Sequence, residues 1–192
     1  MKNFVVLSVF ALSLIFAAQN AFSSAVSEPS NERQPLVLGM IIMEGKGFRH
    51  LSSALSVNGT TREGIEVTIQ EIHTGGFHTM ISNTEGVFSS VNVPEGEYRL
   101  ARVFLKLKSG RSWISIAWNP PPDRVIYRFE VADGKVNNFG EIYWECESGE
   151  KNTLNVNQDY EKVRNWFNDK NNSSKWNQRE WVPIGVRSIA VN

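Results

Sequence analysis

Two histidines lie five residues apart in His73-Thr-Gly-Gly-Phe-His78, and imidazole is the commonest metal ligand in proteins. If Gly75-Gly76 reverses the chain, both rings could meet on paired strands. Zinc would then need a third and a fourth ligand, with His50, Glu71 and Glu85 nearest in sequence. The plainer reading is two surface histidines on a hairpin. Cys146 is the single thiol, and the acids around it in "IYWECESGE" disfavour a thiolate. An inert thiol packed as a small hydrophobe suits that setting better than a nucleophile. Acid pairs occur at Glu95/Glu97 and Glu145/Glu147, but spacing alone does not give the carboxylate separation a glycosidase needs. No Gly-x-Ser-x-Gly, phosphate-cradling glycine loop or His-Glu-x-x-His is present. These residues point to a non-catalytic module and call for no cofactor, with a metal-dependent hydrolase at the His73/His78 hairpin as the last-ranked alternative.

Six tryptophans form the other chemically distinctive class. Trp113, Trp118, Trp144 and Trp166 fall within periodic segments, which points to core packing. Trp176 and Trp181 sit in a polar tail beside Lys175, Gln178, Arg179 and Glu180. They either pin that tail across the fold or, with Trp113, offer ring platforms to a sugar or a partner chain.

Composition bounds where such groups could act. Lys2, the apolar run Phe4 to Ala18 and the small residues Ser23-Ser24-Ala25 read as a Sec-type signal peptide over residues 1–25. The run is shorter than the roughly 20 residues of a spanning helix, and nothing later qualifies, so no membrane span is expected after cleavage. One cysteine forms no internal disulfide. Export without disulfides fits a bacterial periplasm or cell surface. The 20 basic and 20 acidic residues balance, so no basic stripe marks a nucleic-acid partner.

The elements that must hold these residues are mostly strands. Residues 26–35 are polar and read as a flexible lead-in. Leu36-Met43 is a nearly continuous apolar strand candidate, and period-two segments follow at Ile65-Ile72, Phe77-Ser82, Val87-Val93, Tyr98-Lys108, Ser112-Trp118, Val125-Val131 and Val136-Cys146. The apolar face of Tyr98-Lys108 changes phase near Leu100-Ala101, which predicts a β-bulge. Asn119 to Asp123, with three prolines, reads as a stiff loop, and Glu44 to Glu63 as an unassigned insertion. Tyr160, Val163 and Phe167 are spaced for one helical face, with Asp159 as cap. The expectation is a mainly β, antiparallel sandwich over residues 36–146. One short C-terminal helix and an extension, residues 147–192, would pack on it.

Turn chemistry brackets the strand at Val87. Asn83 and Gly86 suit the ends of a type I turn, while Pro94 and Gly96 combine a fixed φ with a residue free to take a positive one. The alternation between them predicts a meander of neighbouring strands. Gly64-Ile65-Glu66-Val67-Thr68-Ile69, Thr84-Glu85-Gly86-Val87-Phe88 and Pro94-Glu95-Gly96-Glu97-Tyr98-Arg99-Leu100 then follow a strand containing Gly39. In these stretches the chain resembles the carboxypeptidase regulatory-like domain, a transthyretin-like β-sandwich. The likeness covers roughly residues 36 to 107. It implies an accessory or adhesion-type module without catalysis, presenting loops to another exported or envelope protein or to a glycan. The chain lacks the C-terminal Tyr-Arg-Gly-Ser of the hydroxyisourate hydrolases, which share that fold.

Overall fold

Leu36–Gly45 (β1) shows no alternation because it is buried on both faces. Val37, Ile41 and Met43 enter the core between two sheets, while Leu36, Leu38 and Met40 enter a second core behind it. The computed structural model describes residues 26–45, 56–57, 60–83, 85–109, 112–120, 127–146 and 152–185. The signal segment, residues 46–55 and 58–59 of the insertion, and residues 121–126 of the proline loop lie outside them.

The protein is a mainly β sandwich. Its first sheet runs β10 (Asn152–Asn157), β9 (Val136–Cys146), β1, β5 (Val87–Ser90), and β11 (Trp181–Pro183) also pairs with β9. Most pairings are antiparallel, but β1 and β11 both run parallel to β9. In the second sheet β3 (Thr60–Glu71) lies between the long β6 (Gly96–Ser109) and two short strands, β2 (Ser56–Val57) and β4 (Phe77–Ile81). The far side of β6 carries β7 (Ser112–Trp118) and β8 (Arg128–Val131). The predicted bulge is present. Thr68 pairs with Arg102 and Ile69 with Leu100, so Ala101 is the extra residue.

The meander is not. β5 pairs with β1 in the first sheet, whereas β4 and β6 both flank β3 in the second. The turns at Asn83 and Pro94 are therefore corners at which the chain changes sheet. Asn83 shapes the first by accepting from Glu85 N and Val87 N through Oδ1, at 3.0 and 2.9 Å. At the second, the buried Tyr98 donates its hydroxyl to Pro94 O at 3.0 Å.

Helix α1 (Tyr160–Lys170) starts where expected, with Asp159 accepting from Lys162 N. It buries Val163 and Phe167 against Leu36, Leu38 and Val136. Residues 152–185 are more than a layer laid on the sandwich, since β10 and β11 supply strands of the first sheet. The lead-in, expected to be flexible, is hydrogen-bonded to that C-terminal segment. Val26 N donates to Asn171 Oδ1 and Lys175 N to the Glu28 carboxylate, while the Arg179 guanidinium donates to the carbonyls of Asn31, Glu32 and Gly134. One face of the first sheet is thus covered by the second sheet and the other by the C-terminal layer.

Candidate functional site

The outward face of the second sheet is where this fold leaves side chains open to solvent. Alternation along each strand decides which residues reach it. On β4 these are Phe77, Thr79 and Ile81, with His78 and Met80 turned inward. On β3 and β6 they include Gln70, Glu97 and Arg99, and on β8 Arg128 and Glu130. Cross-strand register then aligns four of them in one row: Phe77 opposite Gln70, Gln70 opposite Arg99, Arg99 opposite Arg128.

Hydrogen bonds orient the middle of that row. Gln70 Nε2 donates to Gly75 O at 3.1 Å, which ties the carboxamide to the hairpin turn. Its Oε1 accepts from Arg99 Nε and Nη2, at 2.9 and 2.6 Å. Arg128 Nε lies 3.1 Å from Glu97 Oε1 but off the hydrogen-bond axis, so that contact is coulombic and the donor remains unspent. Gln70, Ile72, Arg99 and Arg128 line a shallow depression of about 260 Å³. The nearby turn is held by Glu71, which accepts from Thr74 and from the backbone N–H groups of Thr74 and His73. These bonds keep its carboxyl below the ordinary range.

The histidine pair does not assemble a metal site. His73 Nε2 lies 3.6 Å from Glu97 Oε2, while His78 packs edge-on to Tyr98 at 5.8 Å. Glu97 and Tyr98 are successive residues of one strand, so their side chains leave opposite faces of the sheet, and the two imidazoles go with them. Of the other suggested ligands, Glu71 and Glu85 are committed elsewhere and His50 lies outside the described residues. Among the described residues no three His, Cys, Asp or Glu side chains gather as a ligand set.

Trp176 and Trp181 do not stand as the open ring platform their sequence context also allowed. Trp176 is fully buried, with Nε1 donating to Ser27 O at 2.8 Å and the Arg179 guanidinium 5.7 Å from its ring centroid. Trp181 is half-buried, packed edge-on to Phe167 at 5.3 Å with Arg164 over its ring. Both pin the tail, the other reading their sequence context allowed. The side chains of Trp113 and Cys146 lie outside the described residues. Trp118 and Trp144 are core residues as expected, whereas Trp166 is half-buried and donates Nε1 to the Glu85 carboxylate.

Neither the protein-family models nor the curated proteins give a match to this chain. Among solved structures, a leucine-rich repeat protein from Bacteroides thetaiotaomicron is similar over 63% of this chain and 15% of its own, at 16% identity and a TM-score of 0.36. A likeness that slight assigns nothing.

Sequence reading passed over Gln70, Arg99 and Arg128, which the fold brings together. The one local signal is that Arg99 and Arg128 are each polar between two apolar neighbours, Tyr98 and Leu100 or Tyr127 and Phe129, while Gln70 follows the buried Ile69. That marks an outward position and says nothing of which strands lie side by side.

Proposed function

We propose that the protein is an exported, non-catalytic binding module of a bacterial envelope, and that it meets a protein partner through the outward face of its second sheet. One observation carries the choice of face. Phe77 and Ile81 are 64% and 59% exposed, the large hydrophobics left open among the described residues. Both stand on the outward row of β4, a strand whose second edge has no strand partner among the described residues. Exposed apolar side chains beside open backbone donors and acceptors favour association with another chain. The hairpin turn at Gly75-Gly76 borders this face.

Export is supported by the residues 1–25 pattern, and a role without catalysis by the resemblance to carboxypeptidase regulatory-like domains. Among the described residues no helix is long and apolar enough to cross a membrane.

Photo-crosslinking in the producing cells tests the reading. A photoreactive amino acid at Thr79 or Ile81 should give one discrete protein adduct, and the same residue at the exposed Asn168 of α1 should give none. Adducts of equal yield from both faces, or from neither, would refute it.

A further inference from the structure

We propose that the depression lined by Gln70, Ile72, Arg99 and Arg128 is a binding site for a carboxylate group, gripped by the two guanidinium groups. Arg99 and Arg128 stand directly opposite each other on neighbouring strands, a placement in which like charges repel. Nothing in the local chain requires this, because solvent-facing positions on β6 and β8 accept any polar residue. No carboxylate among the described residues pairs with Arg99. Its partner is the neutral Gln70, itself anchored to Gly75 O, so the guanidinium is aimed without being neutralised. Gln70 is thus a positioning residue.

Among the described residues Arg128 pairs with Glu97 alone, at 3.1 Å and off-axis, and Glu97 also lies near His73. Glu130 shares this face opposite Glu97, but among the described residues neither carboxylate lies within ion-pair distance of Arg99, so its one positive charge stays open to the depression. That charge matches a carboxylate and falls short of a phosphate dianion. A planar carboxylate also fits the fork of a guanidinium, which can grip both oxygens. Ile72 in the lining and Phe77 at the end of the row offer apolar contact for a short stem behind the acid group. The group could belong to an Asp or Glu side chain of a partner or to a free organic acid.

The assignment takes its biological use from the binding-face reading, but its test needs no partner. The arginine Nε–H resonances of the purified protein would be followed by NMR during titration with sodium acetate and with an end-blocked peptide carrying one Asp. Sodium chloride at matched ionic strength and inorganic phosphate would be run in parallel. Acetate and the peptide should shift the Arg99 and Arg128 signals saturably in the millimolar range, while chloride gives only a linear drift. A midpoint tenfold lower for the peptide would identify the source as a protein chain, and equal midpoints a free acid. Either result supports the site.

Arg99→Gln and Arg128→Gln should each abolish the saturable component, with Arg102→Gln on the same sheet face leaving it intact. Acetate behaving as chloride does, or phosphate saturating at a lower concentration than acetate, would overturn the assignment. Loss of saturable binding with crosslinking retained would sink this site alone, and the reverse would sink the partner reading alone.

Discussion

At the scale of single residues, the corner at Gly86 shows how a backbone position can outweigh composition. Gly86 has φ 84°, and a Cβ placed there would lie 2.5 Å from the carbonyl oxygen of Ile41, backbone that cannot swing away. Gly96, at the other corner, has φ 152°, and its nearest contact would be a Tyr98 ring carbon at 3.6 Å. Both positions disfavour a side chain, but only Gly86 adds a collision with β1. Gly86→Ala should therefore cost at least about 2 kcal/mol, and Gly96→Ala about 1. Urea denaturation of the two variants checks the order. Equal losses would mean that the Asn83 corner can move away from β1. Sequence identified both glycines as turn residues, yet it could not rank them, because Ile41 is 45 positions away and enters only through the sheet crossing.

At the scale of elements, the Asn83 corner is fastened to α1. Glu85 accepts from Trp166 Nε1 and lies 3.1 Å from Lys170 Nζ. The indole hydrogen bond, and after it Lys170, hold the Glu85 carboxyl below its ordinary value of 4.5. A carboxyl with a depressed folded pKa contributes stability that is fully present above the ordinary value and is lost as pH falls through the lower one. The Trp166 indole N–H resonance should thus hold steady at neutral pH and move only below pH 4.5. Glu85→Gln, which keeps an acceptor and removes the charge, should abolish that movement. A midpoint above 4.5 in the wild type would contradict the latch. Strand existence was legible from period two, the double burial of β1 from its missing alternation, and the Ala101 bulge from a change of phase. The sheet to which β5 belongs was not, because its four residues, Val87-Phe88-Ser89-Ser90, carry no pattern that prefers one sheet to the other.

At the scale of the whole molecule, the first sheet is a shared wall between two cores, and the second core exists only because the chain ends return to it. Leu36, Leu38, Met40 and Val136 face Val163, Phe167 and Trp176. The lead-in is hydrogen-bonded to the same layer through Ser27, Glu28 and Arg179. The apolar face of α1 was legible from its spacing, but the return of the lead-in was not, since the bond from Trp176 to Ser27 spans 149 positions and a polar tail with two tryptophans suits exposure as well as pinning. Burying a large apolar side chain contributes about 1.5–3 kcal/mol, so three of them approach the roughly 5–15 kcal/mol by which a whole domain is stable. A chain ending at residue 150 would lose β10, α1 and β11 together and open that wall to water. It should bind a hydrophobic dye and unfold without a sharp transition, whereas the intact protein should show one cooperative calorimetric peak. If the shortened chain melted sharply and bound no dye, the sandwich would be self-sufficient. The C-terminal layer would then be an accessory to the first sheet, and the face it covers would become a second candidate for partner contact.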